Sequence, residues 1–192
     1  MSSTRTRDER RAQFEQLAMP HARSLYRTAV RSTGRAEDAH DIVQETYLRA
    51  YRTFDGFETG TNARAWLFTI LYSILANRWR ADRTATVEVG VDDLDARFAA
   101  ALDGAGGDAE QALLTRLESA PEVHRALAAL PEAYRAVVLL VDVEELSYEE
   151  ASAALACPVG TVRSRLARGR RLLFTALSDY ARSLRLLPSQ PT

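Results

Sequence analysis

The chain reads as all-α, two small helical domains joined by an acidic flexible linker, and three observations predict this. Apolar residues recur at helical spacing from about Arg11 to Ala81 and again beyond Ala120. Between them, TATVEVGVDDLDARFAAALDGAGGDAEQ mixes glycine, alanine and acids with little periodicity. Near the end, Leu146 to Leu173 sets a short helix, a tight turn and an arginine-loaded helix in succession. The boundaries are 8–82 for the first domain, 83–119 for the linker, 120–182 for the second domain and 183–192 for a short tail.

In the first domain, Phe14, Leu17, Leu25 and Ala29 give a helix starting near Arg11, split or kinked by Pro20 and ended by Gly34. A second helix runs from about Glu37 to Arg52, with Ala39, Ile42, Val43, Thr46, Tyr47 and Ala50 inward and a charged outer face. The loop Phe54 to Asn62 has two glycines and two phenylalanines. After it, Ala63, Trp66, Leu67, Ile70, Leu71, Ile74 and Leu75 form the stripe of a packed helix, which turns Arg64, Tyr72, Ser73, Asn77, Arg78 and Arg80 outward.

In the second domain, Leu130-Pro131-Glu132 marks a helix start, with Tyr134, Val137, Val138 and Val141 buried. Ser147 and Glu150 have the S-x-x-E spacing of a capping box, so a helix begins there. Ala156, Cys157 and Pro158 end it, and the next starts at about Val159. On that helix, Val162, Leu166, Gly169 and Leu173 share one side. Ser164, Ala167, Arg168 and Arg171 lie opposite, where a helix in a major groove presents its base-reading residues, and Arg163, Arg165 and Arg170 lie on the flanks, which suits phosphates. Five arginines and no acid between Val159 and Arg171 point to nucleic acid rather than to an ordinary solvated face.

The formal net charge of -1 conceals a segregated pattern, because Arg83 to Ala120 carries eight acids against three arginines. All 25 basic residues other than histidine are arginine, which excludes a lysine-dependent P-loop. The polar N-terminus shows no secretory h-region, so a cytoplasmic protein is expected. The single cysteine, Cys157, sits at an apolar turn and reads as a buried structural thiol. His21, His40 and His124 form no ligand pattern, and no nucleophile stands with a base. Neither metal, cofactor nor enzymatic activity is expected.

Two motifs make the reading specific. Leu146-Ser147-Tyr148-Glu149-Glu150 followed by Cys157-Pro158-Val159-Gly160-Thr161-Val162-Arg163-Ser164-Arg165 resembles region 4 of the extracytoplasmic-function (ECF) sigma factors of bacterial RNA polymerase. Upstream, Asp41 to Ala50 resembles the region 2 helix that holds the polymerase clamp, and Ala65-Trp66-Leu67-Phe68 the start of the promoter-melting helix. The resemblance implies a region 2 bundle, a region 4 helix-turn-helix, and a transcription initiation factor that directs core polymerase to promoters with -35 and -10 elements. It implies polymerase contact, at clamp and flap, with Asp41, Gln44, Glu45 and Arg49 on the clamp surface. It implies -10 DNA at Phe54, Phe57, Asn62, Arg64, Ser73, Asn77 and Arg80, one phenylalanine capturing a flipped base. The -35 DNA falls to Arg163, Ser164, Arg165, Ala167, Arg168 and Arg171. A cognate anti-sigma factor is a further implied partner. Ala156 stands where the family often has a turn glycine. The rival is a stand-alone helix-turn-helix regulator, which would need a dimer interface and a palindromic site.

Overall fold

The structure, a computed structural model, describes residues 6–58, 60–82 and 121–184, and among them every regular element is helical. The acidic linker 83–119 and most of the tail lie outside the described residues. Helix α1 (Arg7–Ala18) begins earlier than its apolar periodicity indicates, because Thr6 and Glu9 cap each other: the Glu9 amide donates to Thr6 Oγ1 at 3.3 Å and the Thr6 amide to the Glu9 carboxylate at 3.0 Å. Pro20 lies in a 3-10 turn (Met19–His21) that separates α1 from α2 (Ala22–Thr33). Gly34 closes α2 at φ 74°, a left-handed position that favours glycine.

Helix α3 (Ala36–Thr53) buries Ala39, Ile42, Thr46 and Ala50, leaving Val43 and Tyr47 half-buried. After a 3-10 turn (Phe54–Gly56), α4 (Ala63–Asp82) starts on Asn62, whose Oδ1 accepts from the amides of Arg64 at 3.1 Å and Ala65 at 3.3 Å. Apolar residues cover nearly all sides of α4, and such a helix must be surrounded. It packs on α3 and, on its other flank, on the second domain. Tyr72 is therefore a core residue, 2% exposed, with its hydroxyl 3.5 Å from the Ala136 carbonyl oxygen, and not part of the outward surface assigned from the sequence.

The second domain comprises α5 (Pro121–Ala129), α6 (Glu132–Val138), a π-helical turn (Leu139–Val143), α7 (Tyr148–Leu155) and α8 (Val159–Ser183). Pro131 precedes α6 and Pro158 precedes α8, both in extended backbone that starts a helix without needing an amide hydrogen. The box of Ser147 and Glu150 forms in both directions, at 3.1 and 2.8 Å. Ala156 ends α7 at φ 49° and ψ 44°, and Glu145 enters it at φ 52°, both in the left-handed region that costs a residue with a Cβ. Val162, Leu166 and Gly169 are buried as the wheel requires. Cys157 is a free thiol but only half-buried, since the chain turns there with its backbone tied to Ser152 in both directions, at 2.6 and 3.1 Å.

The two domains dock. Apolar side chains from Phe14 in α1 to Leu166 in α8 form one contiguous cluster, in which α4 lies against α7 and α2 against α5 and α6.

Candidate nucleic-acid and polymerase interfaces

Three surfaces carry the residues singled out by the sequence. The first is a groove of about 690 Å³ between α1 and α3, lined by Arg7, Asp8, Arg11, Phe14, Glu15, Met19, Gln44, Tyr47, Leu48 and Tyr51. Asp41 and Gln44 are exposed, and Glu45 and Arg49 pair at 2.5 Å across one helical turn. Leu48 (53% exposed) and Met19 (46%) place apolar surface in the groove beside the charged Arg7, Asp8, Arg11 and Glu15 of α1. The sequence reading missed both, although Leu48, one turn from Gln44, was on the outward face of its wheel. Tyr47 is anchored below by its hydroxyl, which donates to the Ala18 carbonyl at 3.1 Å, and burial pushes its pKa to about 12. An apolar centre with a polar rim is the usual anatomy of a protein-binding patch.

The second surface is the loop before α4 and the helix itself. Phe54 is 6% exposed, its ring edge-on to Phe14 at 5.3 Å and tilted to Trp66 at 6.5 Å. Phe54 thus closes the core, correcting its assignment to DNA. Phe57 is only half-buried, stacked on Phe54 at 6.3 Å and tilted to Trp66 at 4.7 Å, so of the two rings it is the more accessible. Ser73, Asn77 and Arg80 are exposed on one line of α4, with Arg80 donating to Asn77 at 2.9 Å and to the Ala76 carbonyl at 3.1 Å. Asn62 and Arg64 are engaged: Asn62 Nδ2 donates to Glu150 Oε1 at 2.6 Å, and Arg64 Nη2 donates to Glu144 Oε2. Glu150 is held below the usual glutamate range, chiefly by the Ser147 amide of its capping box and also by Asn62.

The third surface is the outward side of α8. Arg163, Ser164, Ala167 and Arg168 are exposed there, and Arg165 and Arg171 half-exposed. Arg163 lies over the Tyr148 ring at 5.6 Å, joining the two helices of the motif. Arg165 turns into a cleft of about 440 Å³ between the domains, shared with Thr69, Ser73, Asn77 and Arg80 of α4. Arg170 was expected near phosphates. It instead forms a fork on Asp142, at 3.1 and 2.6 Å, which binds α8 to the π-helical turn. That pair spans 28 positions and has no local sequence signal.

A two-domain helical chain ending in a helix-turn-helix with an arginine-rich outer face is a DNA-binding protein. The family model for Sigma-70 region 2 matches residues 17–84, and that for Sigma-70, region 4 matches residues 121–173. The chain is 38% identical over 154 residues to the ECF RNA polymerase sigma factor EcfG of Rhodopseudomonas palustris, covering 80% of this chain and 79% of that one. To the RNA polymerase sigma-H factor of Pseudomonas aeruginosa it is 32% identical over 178 residues, covering 92% and 91%. The fold is similar to that of the sigma factor RpoE of Bartonella quintana, solved in complex with the anti-sigma factor NepR: TM-score 0.60, 28% identity, 86% of this chain and 97% of that one. It is similar also to CnrH, solved with the cytosolic domain of CnrY: TM-score 0.56, 28% identity, 88% and 90%. The chain belongs to the ECF sigma factors, transcription initiation factors of RNA polymerase. Among the described residues, no helix is long and apolar enough to cross a membrane.

Proposed function

We propose that the α1/α3 groove holds the polymerase clamp, that α4 and its preceding loop meet the -10 element, and that α8 reads the -35 element. The observation that carries this is the groove itself, where exposed Leu48 and Met19 form an apolar patch bordered by Gln44 of α3 and by the charged Arg7, Asp8, Arg11 and Glu15 of α1. On the -10 surface, Phe57 is the ring that stacks on an unpaired base, while Ser73, Asn77 and Arg80 follow the strand. On α8, Arg168 faces the bases with Ser164, Ala167 and Arg171, and Arg163 and Arg165 meet phosphates. Domain limits of 8–82 and 120–182 suit this division of labour. The chain catalyses nothing itself, since the chemistry belongs to the polymerase, and it works in the cytoplasm where the polymerase is. An anti-sigma factor is its natural regulator, a reading supported by the anti-sigma factor NepR bound in a similar solved structure.

The experiment is charge reversal on α3, at residues beside Gln44 on the same helix. Asp41→Arg with Glu45→Arg should abolish co-elution with core polymerase and promoter-directed transcription, while the circular-dichroism melt of the free chain stays within a few degrees. Undiminished binding by the folded double variant would remove α3 from the clamp surface.

A further inference from the structure

Within the second domain, the arginine-rich half of α8 rests on its neighbours at three points. Arg163 lies over the Tyr148 ring of α7 at 5.6 Å, and Gly169 faces Val138 and Tyr134 of α6. Arg170 forks onto Asp142, Nε donating to Oδ2 at 3.1 Å and Nη2 to Oδ1 at 2.6 Å. A cation over a ring face holds across a range of offsets, and an apolar contact against a glycine has no direction. The fork differs from both, because two parallel N–H···O bonds fix the plane of the guanidinium as well as its distance. Its acceptor is well anchored: Asp142 belongs to the π-helical turn, where Leu139 and Leu140 are buried in the core. Both side chains of the pair are partly exposed, and such a pair adds little to stability. What it adds is orientation. Arg168 precedes Arg170 by two residues, about 200° round the helix, so the fork grips the side of α8 away from the one Arg168 presents. A roll of about 10° would carry side-chain ends about 6 Å from the helix axis through about 1 Å, more than the whole span of about 2.7–3.2 Å that a hydrogen bond allows.

We propose that Asp142 and Arg170 are positioning residues for -35 recognition, a fork that fixes the roll of α8 and hence the aim of Arg168 without itself touching DNA. This rests on the reading of α8 as the -35 helix. Charge alone gives Asp142 no such use, since an acid beside an arginine-rich face repels the phosphates that face attracts. The two accounts predict opposite signs. Neutralising Asp142 tightens binding to every sequence if only its charge matters, and loosens recognition of the matched element if it aims the helix.

The test is promoter binding by holoenzyme assembled with the full chain, followed by fluorescence anisotropy on labelled duplexes that carry a matched -35 element or one mismatch, at several salt concentrations. Asp142→Asn removes the charge and one acceptor, and Arg170→Lys keeps the charge and loses the fork. Both are compared with wild type and with Arg168→Ala, after a circular-dichroism check of folding. Each should cut the affinity ratio of matched to mismatched DNA by about fivefold or more at the position Arg168 reads. The salt slope, which counts phosphate contacts, should stay unchanged. The double variant should do no worse than either single one, because both cut the same contact. Tighter binding of Asp142→Asn to all sequences with discrimination intact would overturn the proposal and return Arg170 to the phosphates. Equal loss on matched and mismatched DNA would overturn it too, by making the fork a structural prop. Unchanged discrimination in both variants, while Arg168→Ala relaxes its position, would remove the fork's role and leave the -35 reading standing. A full wild-type preference in Arg168→Ala would instead sink that reading and the fork's role with it. Arg170→Lys decides alone if Asp142→Asn does not fold.

Discussion

Gly169 lies where α8 crosses α6, and the approach leaves no room for a side chain. A Cβ there would stand 2.8 Å from Val138 Cγ2, 3.3 Å from the Tyr134 carbonyl oxygen and 3.4 Å from Tyr134 Cβ. Carbon atoms rest at about 3.5–4.0 Å, so the Val138 methyl would have to retreat by about 0.7–1.2 Å. It has little freedom to do so, being 2% exposed and β-branched, and the Tyr134 oxygen is backbone. Overpacking of this kind costs about 1–3 kcal/mol, and alanine gains about 1 kcal/mol over glycine in a helix interior. Gly169→Ala should accordingly destabilise by about 1 kcal/mol and lower the melting temperature by a few degrees in calorimetry. In a Val138→Ala background, which removes the nearest methyl, the same change should be neutral or stabilising. A Gly169→Ala chain that melts higher than wild type by what helix propensity alone provides would refute the close approach. Function follows the same geometry: lifting α8 off α6 should weaken binding at -35 although no DNA-facing side chain has changed.

Ala156→Gly should stabilise by about 1 kcal/mol, since Ala156 holds φ 49° at the end of α7 and glycine meets no Cβ penalty there; an unchanged or lower melting temperature would sink this. Phe57→Ala should reduce permanganate-detected opening at -10 while sparing closed complexes, whereas equal loss of both would make Phe57 a core residue. Arg168→Ala should cost about 1–3 kcal/mol at one -35 base pair and relax preference there, and Arg163→Ala should weaken all sequences alike; holoenzyme assayed on promoters varied one position at a time separates the two, and a full wild-type base preference without Arg168 would remove it from readout. Because Glu150 has a lowered pKa when folded, its contribution to stability is complete above the unfolded value near 4.5 and is lost as pH falls through the folded value. Glu150→Gln should therefore flatten the acid limb of the melting profile below about pH 4.5, and a parallel profile would argue against it.

What the sequence disclosed was whatever local chemistry decides. The turn at Cys157-Pro158, the Ser147 box and the inward stripe through Val162, Leu166 and Gly169 all form as read, because each depends on residues within one or two helical turns. The Thr6 box was equally legible by the same S/T-x-x-E spacing, and attending only to apolar periodicity started α1 too late. What stayed hidden required partners far along the chain. Tyr72 looks outward on its own helix, yet it is 2% exposed and its hydroxyl reaches the Ala136 carbonyl of the other domain. Phe54 reads as half of an aromatic pair, and only the packing of Phe14 and Trp66 separates it from Phe57. Glu144 gives no local sign at all, its partners Ser24, Thr28 and Arg64 standing 80 to 120 positions upstream.

The apolar cluster that runs unbroken from α1 to α8 also sets how the chain comes apart. Two domains that bury one common core share their fate, so the docked protein should lose structure in a single sharp transition. A weakening substitution in either half then lowers the same midpoint. Cavities cut at Leu25 or at Leu166 would be indistinguishable by melting alone, and the promoter-reading half would inherit the fragility of the polymerase-binding half. Once the halves part, each must stand on a core too small to be generous, and the thermogram should broaden or split into two. Cooperativity is thus a reporter of conformation: the sharpness of unfolding, rather than its temperature, tells whether the two halves were together when heating began.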